Sequence, residues 1–408
     1  LDTCGCLLAG LRTPAARAAG RAATLDGTSR SLLAHRLGVA AAALDYDDGH
    51  YEGGGIHLGA VIVPALLAAP PADGDGERLL TALAVGYEVA IRAGWLMAPR
   101  APGDPYHTSG YAACLGAAVA VAKLRGLDAG GIRGALRIAA AYGPIATLQL
   151  PAVKESIGWA AATAITAVDL ATAGFVDAAG ALDAPSPLGI AATPFATARA
   201  AEPFVAGIGR DWHAPAAYLK PYACCRGFHA ALDAIVELLA ETGVGAGQVE
   251  AVEVEVMAPL AMLDYLPAPT TEHAQFSFPF AIGCLLASGQ VLPASFLPAA
   301  LADPGVNAAA ARVRLRANAE LVPLAAHASY PARVSLRLPG QVLCRRIDHA
   351  SGSAARPLSE ARVTEKFLAN AALVMAPSAG QQWLEILSAP VPRTDALLRA
   401  LSSILQEY

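Results

Sequence analysis

The apolar residues of this chain keep one period as far as about Gly243 and a different one after Val249, and that change limits the folds open to it. Leu80, Leu83, Tyr87 and Ile91 recur at helical spacing within residues 77–96. The same spacing predicts helices at 1–9 (closed by Gly10), 39–44, 60–69, 109–124, 129–142, 158–173 and 227–241, separated by Gly- and Pro-bearing loops. Beyond Val249, Val252, Val254 and Val256 alternate with Glu253 and Glu255, the mark of a half-buried strand. Val313 and Leu315 alternate with arginines as a second strand, and residues 332–338 and 341–347 meet at Pro339-Gly340 as a hairpin. Further helices are predicted at 275–287, 359–374, 381–388 and 394–406. The expected fold class is mainly α. A large all-α domain covers 1–243, with 375–408 returning to it, and a smaller α+β domain covers 244–374.

A length of 408 residues suits two cores. The chain is 55% hydrophobic, yet the apolar stretches 111–121, 157–168 and 278–287 stop short of the roughly 18 residues that span a bilayer. Much of that hydropathy is alanine, which suits close-packed helices, so a soluble, cytoplasmic protein is expected. A net charge of −5 without a basic stripe argues against nucleic acid. Seven cysteines without CxxC spacing predict reduced thiols and neither a zinc ribbon nor an iron–sulfur cluster. No GxGxxG, Walker, GxSxG or HExxH pattern occurs, so nucleotide binding, a serine nucleophile elbow and a zinc protease have no support. The first residues, Leu-Asp-Thr, read as though an N-terminal piece were missing.

Charged residues make up only 15% of the chain, which makes residues 45–59 stand out. Asp45, Asp47, Asp48, His50 and His57 surround the glycines 53–55, with apolar helix on either side. Such a cluster is either a solvated loop whose side chains cap helices or an acid–base site held by rigid helices. Lysines number four against twenty-five arginines, so each lysine is a candidate for chemistry that guanidinium cannot do. Lys154 precedes the helix at 158, Lys220 and Arg226 lie just ahead of the helix at 227, and His229 lies in its first turn. Cations at that end oppose the helix dipole, which points to an anion pocket or to side chains snorkelling into solvent. A reactive thiol at Cys224 or Cys225 is a further option there. His107, entering the helix at 109, reads as a capping residue or a catalyst, and Arg92 as the anchor of an internal carboxylate.

Taken together, these segments resemble the MmgE/PrpD family of 2-methylcitrate dehydratases, cis-aconitate decarboxylases and iminodisuccinate epimerases. The resemblance rests on LDTCGCLLAG, LDYDDGH…HLGAVIVPALLA, GYEVAIRAG, HTSGYAACLGAAVAVAKLRGLD, VKESIGWAAATA, LKPYACCRGFHAALDA, AQFSFPFAIGCLLASG and PLSEARVTEKF, in the family's order. It implies a large all-α domain with a smaller α+β lid, a homodimer, a site between the domains and no metal or organic cofactor. By matching motifs it also implies that Asp45, His57, His107, Lys154 and Lys220 are catalytic, with Asp48, His50, Cys225, Arg226 and Phe280 around the substrate. Gly49 stands where the family has Thr, Leu58 where it has Pro, and Ala42 where it has His. Where the decarboxylase branch has a His and an aromatic hydroxyl, this chain has Cys225 and Phe280.

The expected activity is therefore proton removal next to a carboxylate of a di- or tricarboxylic acid with loss of water, as in a 2-methylcitrate dehydratase. An iminodisuccinate epimerase-like isomerase is the second expectation and a cis-aconitate decarboxylase-like lyase the third. A non-catalytic helical scaffold is the alternative of another class.

Overall fold

The computed structural model describes residues 1–24, 29–71, 74–97, 106–147, 152–175, 205–321 and 329–408. These are mainly helical, with one four-stranded mixed sheet and one two-stranded ribbon. Contacts divide the chain into two compact units. The first takes Leu1–Ala43, Asp47–Ala217 and Glu360–Tyr408, the second Leu44–Tyr46 and Tyr218–Ser359. This division departs from the sequence-based boundaries for a physical reason. Helix His229–Thr242 packs on strands of the second unit, and helix Glu360–Ala371 packs on the first helix of the first.

The first unit holds α1 (Asp2–Gly10), α2 (Pro14–Thr24), α3 (Arg30–Ala42), α4 (Gly59–Ala68), α5 (Gly76–Leu96), α6 (Ser109–Leu124), α7 (Ala129–Tyr142) and α8 (Ala152–Thr172), then helices Glu360–Ala371, Pro377–Ser388 and Thr394–Glu407. Asp75 accepts the amides of Glu77 and Arg78, and Asp128 that of Gly131, which sets the starts of α5 and α7. Helix α6 is the hub: every residue but Lys123 is buried, and α4, α5, α7 and α8 pack around it. Its crossing with α5 leaves no room for side chains. A Cβ on Gly116 would stand 2.4 Å from the Gly86 carbonyl oxygen, and one on Gly86 would stand 2.8 Å from the Ala120 Cβ. By length and composition α5 alone among the described helices could cross a bilayer, because its apolar residues run on through Glu88 and Arg92. Within this unit it buries Glu88 and Arg92, with Arg92 Nε 3.4 Å from Glu88 Oε2, as expected of an internal anchor.

Two departures bear on the site. A short antiparallel ribbon, β1 (Tyr106–His107) with β2 (Ala146–Thr147), holds the entry to α6, and sequence periodicity does not register two-residue strands. Helix α8 begins at Ala152, so Lys154 lies within its first turn.

In the second unit the strands run β4 (Val313–Ala317), β3 (Ala251–Val256), β5 (Ala332–Leu338), β6 (Gln341–Ile347) across the sheet. Strand β3 pairs parallel with β4 (Val252 with Val313) and antiparallel with β5 (Val254 with Val334). Its alternating burial puts Val252, Val254 and Val256 on the core side, as the sequence predicts. Strands β5 and β6 form the expected hairpin, with Gly340 at φ 78° in the turn. The predicted helix at 275–287 is broken. Thr271–Gln275 ends at Phe276, and Phe278–Ser288 starts afresh, with the Ser277 Oγ accepting the Phe280 amide and Pro279 in the first turn, where its missing N–H costs nothing.

Candidate active site

In the first unit the chain leaves α3, turns through Asp47 to His57 and enters α4. The loop is closed by His50, whose N–H donates to the Ile56 carbonyl at 3.0 Å and whose own carbonyl accepts from Gly55 at 2.9 Å. The His50 ring is equally engaged. Its Nδ1 accepts the Gly53 amide at 3.3 Å and its Nε2 donates to the His213 carbonyl at 3.0 Å. Burial pushes its pKa down, so His50 is a neutral imidazole that closes the loop.

His57 sits differently. Its Nδ1 is 2.7 Å from Asp47 Oδ2, and its side chain is 13% exposed against 0% for Asp47. Its backbone N–H donates to Ser109 Oγ at 3.0 Å. With Nδ1–H given to the carboxylate, Nε2 carries the lone pair, the arrangement of a base whose conjugate acid is stabilised in place. The His107 ring lies with its centroid 6.1 Å from that of His57, tilted by 38°. Its Nδ1 accepts the Ser109 amide at 3.2 Å, so in the neutral ring Nε2 bears the proton. Two neighbouring imidazoles thus hold opposite tautomers, His57 with its proton on Nδ1 and His107 with its proton on Nε2.

Asp48 is buried and bonded within the protein. Its Oδ1 accepts the Gly59 amide at 3.0 Å and its Oδ2 the Tyr87 hydroxyl at 2.8 Å. Lys154 is on α8, but its side chain lies outside the described residues, as do residues 98–105 of the Pro-bearing loop that leads to His107. A pocket of about 190 Å³ opens beside the loop, lined by Glu52, Ile91, Arg92, Trp95, Gly207, Asp211 and His213. None of the residues expected at the site lines it.

In the second unit Asp45 takes a backbone φ of 48°, a left-handed conformation that Asp tolerates better than most side chains. Lys220 Nζ donates to its backbone oxygen at 3.0 Å and to its Oδ1 at 2.9 Å, with the two side chains 1% and 2% exposed. The cations ahead of helix His229–Thr242 prove to be internal fasteners. Arg226 NH1 donates to the Ser351 carbonyl at 2.8 Å and lies 3.0 Å from His229 Nδ1, and its NH2 donates to the Ala350 carbonyl at 3.3 Å. His229 donates through Nε2 to the Cys224 carbonyl at 3.2 Å. Burial first, then the charges of Arg226 and Lys220, push its pKa well below the ordinary imidazole value. Snorkelling is ruled out for Arg226, which is buried with guanidinium contacts to this unit's own carbonyls.

Burial drives the Cys224 thiol well up, so it is an inert apolar residue and not a nucleophile. Cys225 is half-buried and donates its amide to the Gln275 carbonyl at 3.0 Å. Phe280 is fully buried, with its ring centroid 6.0 Å from that of Phe296.

Of the expected residues, the first unit thus brings His57 and His107 together, and the second brings Lys220 to Asp45. Asp47 was in the sequence cluster without a role, and it carries the closest contact to His57. The signal was present as three aspartates beside two imidazoles, but which aspartate meets which partner depends on folding.

Two family models match the chain: the MmgE/PrpD N-terminal domain over residues 1–196 and the MmgE/PrpD C-terminal domain over residues 222–389. No curated protein matches it.

Proposed function

Because this chain belongs to the MmgE/PrpD family over nearly its whole length, we propose that it is an acid–base lyase that dehydrates a small hydroxy-polycarboxylate, 2-methylcitrate or a close relative. Membership supports a dehydratase- or lyase-like activity at the level of the family, which includes hydro-lyases and related isomerases. The observation that carries the finer reading is the pair of imidazoles of opposite tautomer, His57 tied to Asp47 and His107 tied to the Ser109 amide.

In this reading His57 Nε2 takes the proton from the carbon next to a carboxylate. The electron pair left behind forms the carbon–carbon double bond as the β-hydroxyl departs, His107 Nε2–H hydrogen-bonds to that oxygen, and the proton that His57 has taken up completes it as water, so that both rings end neutral. Asp47 holds the His57 ring in the required tautomer and offsets the positive charge that the ring acquires. Each such group is worth roughly 10²- to 10⁴-fold in rate. Lys220, with Asp45, is assigned to the carboxylate charges of the substrate, and Lys154 to the same task, whereas Arg226 is committed to the Ala350 and Ser351 carbonyls. Two proton carriers also suit an epimerase, in which the second returns a proton to the opposite face, so the isomerase reading rests on the same pair of rings.

Proton NMR in D₂O tests this. The EDTA-treated protein is given 2-methylcitrate, citrate, cis-aconitate and iminodisuccinate in turn. From 2-methylcitrate, collapse of the methyl doublet to a vinylic methyl singlet supports the dehydratase, as does a vinyl proton growing from citrate. Deuterium entering at Cα without an alkene supports the epimerase, and new alkene proton signals of a decarboxylated product growing from cis-aconitate support the decarboxylase. A folded protein silent on all four favours the scaffold.

A further inference from the structure

We propose that Asp48 and Tyr87 are positioning residues for His57, pinning the start of α4 behind it and setting the charge beside its Asp47 partner; this rests on the reading of His57 as the base. The geometry is a convergence on one backbone amide. Gly59, the first residue of α4 and two past His57, donates its N–H to Asp48 Oδ1 at 3.0 Å. The other Asp48 oxygen takes the Tyr87 hydroxyl of α5 at 2.8 Å, and the Thr3 hydroxyl of α1 is hydrogen-bonded to that of Tyr87. Three side-chain oxygens therefore close around a position without a side chain. A Cβ on Gly59 would stand 2.3 Å from Asp48 Oδ1, 2.3 Å from Thr3 Oγ1 and 2.7 Å from the Tyr87 hydroxyl. His57 is thus held on three sides: at its ring by Asp47, at its own amide by Ser109, and at the helix that follows it by Asp48. Catalytic geometry of this kind is sensitive to displacements of an ångström or less.

The charge follows from the same contacts. Asp48 faces Asp47 on its own segment, Tyr87 on α5, and Asp2 and Cys6 on α1, and Asp2 in turn lies 2.6 Å from Lys366 of helix Glu360–Ala371. Burial lifts the Asp48 pKa to about 6, with the charges of Asp47 and Asp2 adding to the rise and the Tyr87 and Gly59 hydrogen bonds opposing it. Cys6 and Tyr87 are both pushed well up and stay neutral. Tyr87 is therefore the side chain whose donated proton favours the ionised form of Asp48, and with it a second negative charge next to Asp47.

The test uses Tyr87→Phe and Asp48→Asn in the whole chain, two variants that keep shape while removing the donor or the charge. Either decides the matter if the other fails to fold. The first readout needs no substrate: the rate at which diethyl pyrocarbonate modifies His57, followed by peptide mass from about pH 5.5 to 8. Its pH profile is expected to move to lower pH in both variants, because less negative charge then faces the imidazolium. On whichever acid of the NMR panel turns over, kcat should fall about ten- to a hundredfold with KM changed less than about twofold, and the acid limb should move in the same direction. Modification profiles that superimpose on that of the unaltered protein overturn the proposal, as does a KM effect with kcat unchanged. A shifted modification profile without turnover of any acid leaves the positioning standing and removes the lyase reading instead.

Discussion

Each unit places histidine beside charge, and the two do opposite things with it. In the first unit, His57 is partly exposed, and a buried carboxylate holds its Nδ1. In the second, His229 is fully buried, and an arginine and a carbonyl engage both of its ring nitrogens. The neighbour decides the role. A carboxylate stabilises the imidazolium that a base must become, whereas a guanidinium forbids it. The Arg226 and His229 pair, which suggests an anion pocket in the sequence, instead ties the start of a helix to the segment Ala350–Ser351. Asp233 anchors the same segment, accepting the Ser351 amide at 2.6 Å and the Tyr222 hydroxyl at 2.9 Å.

Variants can break this contrast. His57→Ala should abolish turnover, with a loss of at least about 10²-fold, while the chain still folds; retained activity would remove His57 from the mechanism. Lys220→Met leaves the Asp45 carboxylate buried without its cation, at a cost of about 3–5 kcal/mol in denaturant titrations. Adding Asp45→Asn should recover most of that, and affinity for the acid should weaken in both. Stability that is unchanged in the single variant would show that the pair carries no net weight. His229→Gln should cost about 1–3 kcal/mol and leave the pH dependence of turnover where it was; a moved pH profile would mean that the two histidines are not separate in role.

The gentlest probe is pH. The raised pKa of Asp48 means that between about pH 4 and 6 the folded chain holds a proton that the unfolded chain releases. Stability relative to Asp48→Asn should therefore fall across that window as pH rises and stay level above it. Parallel melting temperatures for the two proteins would contradict the assignment.

The hairpin was legible because Pro339-Gly340 and strict alternation are local signals, and α6 and α7 because their apolar spacing is also local. The break before Phe278 was missed although its signal is local, a Ser277 cap with Pro279 in the first turn, because the apolar run continues across it, and the start of α8 lies ahead of the apolar run that marks the helix. The cluster at 45–59 was legible as a place but not as a wiring. Asp45 meets Lys220, Asp47 meets His57, and Asp48 meets Gly59 and Tyr87. Residues two apart in the chain thus take partners on different elements, and composition carries no trace of which goes where. Likewise Arg226 and His229 advertise charge in the sequence, while their burial and internal partners are tertiary facts.

The way β3 is paired also has a kinetic side. Its partners, β4 and β5, lie more than fifty residues further along, while the β5–β6 ladder closes within a single turn. On the ribosome, Val252, Val254 and Val256 emerge as an unmatched edge well before either neighbour has been synthesised. The first unit waits longer still, because Asp2 on its opening helix meets Lys366 only when the other end of the chain arrives. Nascent chains of this protein would thus depend on chaperone shelter late into translation, and a synonymous slowing of codons between β3 and β5 should cost yield without touching the folded molecule.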